Sequence, residues 1–171
     1  MKIILELMGD IADETAEKLE DRVGDIFRCP VERKAGSGDL AQAYNPERKQ
    51  YLSSQLLACL GRPQEQEKIV GVVDVDLYVP RLNFVFGEAD RGSGTAIVSL
   101  CRLRPQYYGL EPHEALFLER ATKEIIHELG HTFGLGHCPN SRCVMHFSNS
   151  LVDTDLKEMY FCSKCRPKII L

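Results

Sequence analysis

Residues 127–137 read His-Glu-Leu-Gly-His-Thr-Phe-Gly-Leu-Gly-His, and the organisation of the chain follows from them. His127 and His131 are four residues apart, so on a helix both imidazoles project from the same face. Gly134 comes three residues later, and because glycine tolerates a positive φ, we expect the helix to end and the chain to turn there. Such a turn would bring His137 back toward the first two imidazoles.

Three imidazoles at this spacing predict a zinc site whose fourth tetrahedral position is open, as catalysis requires, whereas a structural zinc site is closed. Glu128 lies one step round the helix from His127, where it can reach water at the metal without being a primary ligand. The run therefore predicts hydrolysis by zinc-activated water, with Glu128 as general base. The alternative is a solvated helix face with incidental histidines. It is disfavoured because three of the five histidines fall into this spacing.

A second set of metal-binding residues begins directly after the third histidine. Cys138 and Cys143 are separated by four residues, and Cys162 and Cys165 form a C-x-x-C pair. Four thiolates in two close pairs favour a closed structural zinc site. Two disulfides or a redox-active C-x-x-C are the alternatives, but no export signal supports disulfides, and a redox motif leaves the first pair unexplained. We therefore expect two zinc ions per chain, one catalytic and one structural.

These motifs resemble those of the archaemetzincins, a family in the metzincin clan of zinc metallopeptidases. The resemblance rests on the long histidine motif, on Cys138 directly after it and on Met145 downstream; residues 72–80 and 82–87 are also similar to the family. The likeness spans most of the chain. It implies a peptidase in which Met145 lies in a tight turn beneath the metal, the Met-turn. An ordinary core methionine is the other interpretation of Met145.

Length and composition agree with one domain. A chain of 171 residues with 44% hydrophobic and 27% charged residues is ordinary for a single soluble domain. The net charge of −4 provides no general attraction to nucleic acid. The apolar run at residues 1–8 is too short for a signal peptide, and no stretch has the length of a membrane span. We expect a cytoplasmic monomer that acts on peptides or proteins, with no nucleic acid or membrane partner.

Strands and helices alternate along the chain, which predicts a mostly parallel sheet with helices on its faces. We expect strands at residues 2–8, 26–31, 68–78, 82–86 and 95–103. We expect one helix from Asp10 to Gly24 and another after Asn45-Pro46 that stops at Gly61, with a surface loop over residues 33–44.

The active-site helix is predicted over about residues 112–134. One face should pack against the sheet, and the histidines should point away from it into a cleft; the packing face consists of Leu118, Ala121, Ile125 and Leu129. The resemblance implies a zincin-like α/β fold with one antiparallel edge strand above the cleft, at residues 82–86, to which a peptide could add a strand. We expect a single catalytic domain, with residues 1–137 forming the sheet-and-helix part and residues 138–171 holding the Met-turn and the structural zinc site.

Phe147 departs from the metzincin pattern, because some members have a tyrosine two residues after the Met-turn methionine that helps to stabilise the oxyanion. Phenylalanine has no hydroxyl, and the candidates to replace it are His146, Tyr160 and Tyr108.

Five further residues have plain interpretations. Asp74 and Asp76 share a strand face and could hold a metal, but solvated or capping roles at a strand end are favoured. Cys29, Cys59 and Cys101 are interpreted as small buried hydrophobic residues.

Two other classes of function stay open. One is a catalytically silent zinc-containing module that binds peptides, against which Glu128 counts, since a pure binder needs no general base. The other is a nucleic-acid-associated zinc protease, against which the net charge of −4 counts.

Overall fold

The central sheet of the protein has five strands, in a computed structural model that describes residues 1–169. In chain order the strands are β1 (Lys2–Met8), β2 (Val31–Ala35), β3 (Tyr44–Asn45), β4 (Gln50–Leu52), β5 (Glu67–Val73), β6 (Leu77–Tyr78), β7 (Gly87–Asp90) and β8 (Thr95–Ser99). The α-helices are α1 (Asp13–Phe27), α2 (Ser53–Ala58), α3 (Glu114–Thr132) and α4 (Leu151–Leu156). The C-terminal part expected over residues 138–171 is thus described to residue 169, and residues 170 and 171 lie outside the described residues.

The central sheet has the strand order β2-β1-β5-β8-β7, and the short strands form a second sheet in the order β3-β4-β6. All neighbours in the central sheet are parallel except β7 and β8, which pair antiparallel at one edge. The predicted α/β architecture, a mostly parallel sheet with one antiparallel edge strand, is confirmed. The position of the edge strand in the chain was predicted wrongly, because this strand is Gly87–Asp90 and not residues 82–86.

Residues 82–86 do not form a strand, and side chains occupy the carbonyl groups of the first two residues. Arg48 Nη2 donates to Leu82 O at 2.8 Å, and Gln50 Nε2 donates to Asn83 O at 2.8 Å. Val85 forms only an isolated bridge with Leu77. The segment therefore runs as a fixed loop in front of the sheet.

Both faces of the central sheet are covered, which explains the nearly continuous apolar runs of β1, β5 and β8. Successive side chains point to opposite faces, so Leu5 joins a large cluster with α1 and α3, whereas Ile4 joins a smaller cluster with α2. From residue 1 to residue 169, no helix has the length and apolar character needed to cross a bilayer.

Helix α1 continues past Gly24, where the sequence predicted its end, to Phe27. It ends because Arg28 adopts a left-handed conformation with φ 54°, and the Arg28 N–H donates to Gly24 O at 2.7 Å. The second strand therefore begins at Val31 and not at residue 26, and it occupies part of the expected loop.

The helix predicted after Asn45-Pro46 is mostly absent. The Asn45 side chain accepts hydrogen bonds from the N–H groups of Glu47 and Arg48, which closes a turn, and β4 follows it. Only Ser53–Ala58 is helical. Asparagine before proline signals turns as well as helix starts, and here the turn prevails.

The two longest predicted strands are each interrupted. Beyond β5 the chain leaves the sheet at Asp74 and Asp76, and beyond β8 it enters a short 3₁₀ helix at Cys101–Leu103. The solvated or capping roles expected for the aspartates are wrong: Arg104 Nη2 donates to Asp74 at 2.7 Å and Arg102 Nη2 donates to Asp76 at 2.8 Å. These half-buried ion pairs tie the two strand ends together.

Helix α3 lies in the core and is buried on every side from Phe117 onward, except at Glu119. Its start is fixed by His113, whose Nδ1 accepts a hydrogen bond from the Leu116 N–H at 3.2 Å. The expected packing face is buried, but the opposite face is also covered, by the C-terminal part of the chain. The helix is therefore a core element that carries polar residues.

The left-handed residue that ends α1 provides a test. Arg28→Gly should raise the free energy of unfolding by about 0.5–1 kcal/mol, because glycine adopts positive φ without steric cost. Arg22→Gly, the same change at an ordinary helical position of α1, should lower it by roughly 1 kcal/mol. Urea unfolding of both variants measures these effects, and a destabilised Arg28→Gly would contradict the account.

Candidate active site and metal centres

The structure brings together the three histidines of the long motif. The ligand atoms of His127, His131 and His137 all lie within 4.8 Å of one another. His127 Nε2 and His131 Nε2 are 3.1 Å apart. His127 and His131 are buried on α3, whereas His137 is exposed beyond its end. Three imidazoles therefore converge at the bottom of an open cleft.

Backbone carbonyl groups hold two of these rings in a ligand-ready orientation. Val144 O lies 2.8 Å from His127 Nδ1, and Leu135 O lies 2.8 Å from His131 Nδ1. A carbonyl can only accept, so Nδ1 carries the hydrogen and Nε2 presents its lone pair to the centre of the cluster. This donor set fits a zinc ion.

Electrostatics favour the neutral, metal-binding form of the histidines. Burial lowers the pKa of His127 well below its ordinary value, and the Lys157 charge adds to this effect. Burial likewise lowers the pKa of His131 and of His137. All three rings are therefore poised to act as ligands at neutral pH.

Glu128 lies beside this cluster, and its carboxyl group lines the cleft. Burial raises its pKa to about 8, and the Glu124 carboxylate contributes in the same direction. A divalent cation among the histidines would act in the opposite sense and favour the carboxylate. Gly87 permits this placement, because a Cβ built there would lie 2.7 Å from Glu128 Cγ.

The turn after α3 depends on the backbone of Gly134. Its φ is 84°, and a Cβ at this position would meet nothing within 4 Å, so glycine is needed for its conformation and not for space. The Gly134 N–H donates to His131 O, and the Leu135 N–H donates to Gly130 O. This closure leaves the His137 ring centroid 4.9 Å from that of His131.

Met145 lies under α3 in a tight turn. The His146 N–H donates to Cys143 O at 2.8 Å, and the Met145 side chain is fully buried. A Cβ built at Gly130 would lie 2.2 Å from Met145 Sδ. Sequence reasoning missed Gly130, although a glycine inside a helix, which costs about 1 kcal/mol relative to alanine, is a signal for such a close approach.

The cleft has a volume of about 530 Å³ and lies between α3, the segment that leads into β7 and residues 147–149. Phe147 is half exposed, and its ring centroid lies 4.9 Å from that of His137. The three candidates to replace the missing tyrosine hydroxyl are His146, Tyr108 and Tyr160. None of them is among the described residues that line the cleft. His146 instead contacts Cys138 O through Nδ1 at 3.0 Å.

The four cysteines of the second motif also meet. The Sγ atoms of Cys138, Cys143, Cys162 and Cys165 lie within 4.8 Å of one another, and all four are free thiols. The Cys138 and Cys162 sulfurs are 3.8 Å apart, close to the ~3.8 Å that tetrahedral zinc–thiolate geometry implies. Burial acts to raise the pKa of Cys162, but hydrogen bonds from backbone N–H groups and from the Cys143 and Cys165 thiols outweigh it and lower the pKa to about 6. This set fits a closed zinc site.

The other cysteines are half-buried, and each lies outside this set. Cys29 and Cys59 pack against the two core clusters but are only partly buried, whereas the sequence predicted that they would be buried. Burial raises the pKa of Cys101 to about 11, and the charges of Asp76 and Asp74 add to this effect. The Cys101 thiol is therefore poorly suited to bind a metal.

Comparison with known proteins places this geometry in a family. A family model described as peptidase family M54 matches residues 7–170. The archaemetzincin of Methanocaldococcus jannaschii is 44% identical over 171 residues, which cover 99% of this chain and 93% of that protein.

Two solved structures share the fold over nearly the whole chain. The crystal structure of archaemetzincin from Archaeoglobus fulgidus, in complex with malonate, is 37% identical with a TM-score of 0.87, covering 99% of this chain and 100% of that one. A zinc-dependent peptidase from Methanocorpusculum labreanum is 30% identical with a TM-score of 0.89, covering 98% and 100%.

The contact between α3 and the Met145 turn can be tested by a glycine-to-alanine change that should destabilise the helix instead of stabilising it. Alanine is a better helix former than glycine, yet Gly130→Ala should lower the free energy of unfolding by about 1–3 kcal/mol, because the added methyl group displaces Met145. Gly136→Ala is the control, since a Cβ there meets nothing within 4 Å. Chemical denaturation distinguishes the two, and a stabilised Gly130→Ala would disprove the close approach.

Proposed function

The chain belongs to peptidase family M54, the family of the archaemetzincins, and is a zinc metalloprotease; we propose that it hydrolyses peptide bonds with Glu128 as general base. The observation that carries this proposal is the convergence of three imidazoles, two of them oriented by backbone carbonyl groups, and one buried carboxylate on an open cleft. A site built only to hold peptides has no need of that carboxylate.

We propose that two zinc ions bind per chain. His127, His131 and His137 would hold the catalytic ion, and the four cysteines would hold a structural one. The catalytic ion supplies Lewis acidity, which lowers the pKa of water from about 16 to near 7 and polarises a carbonyl group. The second set is closed, because four thiols fill a tetrahedral shell.

In this mechanism Glu128 moves the proton. Its carboxylate accepts a proton from the attacking water and then donates it to the nitrogen of the leaving amine. The buried setting keeps the carboxyl group away from bulk water, and the close approach of Gly87 fixes the side chain against the edge strand. The role of Glu128 is thus to hold one proton between the attack of water and the departure of the amine.

The free edge of β7 is the proposed guide for the substrate. β7 pairs with β8 on one side only, so its other backbone edge can accept an extended peptide above the cleft. Main-chain hydrogen bonds of this kind position a peptide regardless of its side chains. The cleft wall before β7 is held by Arg48 and Gln50, so a substrate meets a preformed slot, which favours selectivity for peptides or a few proteins.

The general-base role predicts a separation of catalysis from metal binding. Glu128→Ala should reduce cleavage of a diverse peptide library by at least about 10²–10⁴-fold, because general-base catalysis contributes that much. Its zinc content should match that of the unaltered protein. Mass spectrometry of the products and metal analysis provide the two measurements.

The matched control is Glu111→Ala, at an exposed carboxylate ahead of α3. It should cleave like the unaltered protein. Retained cleavage by Glu128→Ala would exclude the proposed base. Loss of both zinc and activity would mean that Glu128 supports the metal site instead.

The cysteine set predicts a second metal with a structural role. Cys165→Ser should lower the zinc content from two ions to one and destabilise the fold by several kcal/mol, since structural zinc contributes directly to folding free energy. Cys59→Ser, at a thiol outside the set, should keep both ions. Unchanged zinc content in Cys165→Ser would rule out this site.

A further inference from the structure

A buried ion pair lies beside the proposed general base and takes no part in the mechanism above. Glu124, one helical turn before Glu128, lines the cleft although only 2% of its surface is exposed. Lys157 follows α4, is almost completely buried and places Nζ 2.9 Å from Glu124 Oε1. Burying two charges is costly even when they are paired, so the pair calls for an explanation beyond stability.

The contacts of Glu124 within the protein are made through one of its two carboxylate oxygens. Thr154 Oγ1 donates to Glu124 Oε1 at 2.9 Å, and Lys157 approaches the same oxygen. Oε2 is therefore the part of Glu124 that remains for the cleft. On the wall formed by residues 147–149, Ser148 Oγ is buried and has no hydrogen-bond partner within the described part of the chain. Because buried polar atoms are nearly always paired, the unpartnered Ser148 hydroxyl, at the same cleft as the Glu124 carboxylate, indicates a polar occupant.

The edge strand β7 relates this pocket to the cleft as a whole. The first residue of β7, Gly87, lies beside Glu128, because a Cβ on Gly87 would be 2.7 Å from Glu128 Cγ. Beyond its end, a Cβ on Gly94 would be 3.1 Å from Lys68 Nζ, which donates to Thr132 O at the end of α3. β7 thus runs beside α3 in the direction from Glu128 to Thr132.

A peptide paired antiparallel with β7 runs the opposite way, from the Thr132 end toward Glu128 and then Glu124. This direction delivers the leaving amine to Glu128, which must protonate it. The side chain that follows the scissile bond then lies beyond Glu128, at the buried pair. The pocket position follows from strand direction and from the proton transfer together.

We propose that Glu124 and Ser148 form the pocket for the residue that follows the scissile bond, and that this pocket selects side chains that donate hydrogen bonds over aliphatic ones of equal length. The proposal rests on the proposed peptidase function. Lys157 offsets the charge of Glu124, so a neutral donor such as glutamine and a cationic donor such as lysine share the required chemistry.

Binding to the zinc-loaded full-length protein tests this without relying on turnover. Three succinyl hydroxamates serve as probes. The hydroxamate forms the N-terminal end of each, so the first side chain and the peptide after it take the place of the residues that follow the scissile bond. That first side chain is the one of lysine, glutamine or norleucine, and norleucine has the four-carbon chain of lysine without its amine. Calorimetry should give a Kd at least about tenfold lower for one or both donor probes than for norleucine, the size expected when a buried acceptor gains a partner. The two donor probes show whether the preferred donor is neutral or charged.

Variants at the pair assign the preference to Glu124. Glu124→Gln should reduce the preference for donor probes over norleucine to less than about threefold, since the amide presents a donor in place of the carboxylate oxygen. Because that change leaves Lys157 unpaired, Glu124→Leu combined with Lys157→Met provides a folded alternative of similar volume, in which norleucine should bind at least as tightly as lysine. Glu158→Gln, at an exposed ion pair with Arg142, should keep the preference.

The outcomes separate this inference from the function on which it rests. Equal binding of all three probes by the unaltered protein, or a preference that survives in the double variant, would overturn the pocket while leaving the peptidase intact. Failure of every probe to bind would instead remove the open metal centre, and with it both proposals.

Discussion

One buried helix carries more ionisable side chains than the protein interior accepts without partners, and the rest of the structure satisfies them. The buried ionisable residues of α3 are Arg120, Lys123, Glu124, His127, Glu128 and His131. Their partners come mainly from the C-terminal part of the chain: Asp155 binds Arg120, Lys157 faces Glu124, and Val144 O holds His127. Since an unpaired buried charge is strongly destabilising, the C-terminal part acts as the polar complement of the helix.

The two metal-binding sets are joined through this same complement. His137 and Cys138 are consecutive in the chain, so a ligand of each proposed ion shares one peptide bond. The turn that buries Met145 lies between Cys138 and the second cysteine pair, and the Cys138 N–H donates to Met145 O at 2.8 Å. A closed thiolate site would therefore restrain the loop that also positions Met145 under the helix.

Spacing along one helix is a local property, which is why the sequence predicted that His127 and His131 would converge. The sequence did not predict interactions between residues that are far apart in the chain. The segment at 82–86 has the apolar pattern of a strand, but Arg48, far away in the sequence, occupies its carbonyl groups. Asp74 likewise offers no hint of its arginine partner. Partner choice of this kind depends on tertiary structure, whereas the mostly parallel sheet follows from the alternation of elements.

The open edge of β7 also bears on solubility. An exposed strand edge that can receive a peptide can equally receive the edge of another copy, which is the first step of sheet-to-sheet aggregation. β7 has only four residues, and two of them are the acidic Glu88 and Asp90. A short, charged edge is long enough to align a single extended segment and too short and too repulsive to template a continuous sheet between molecules.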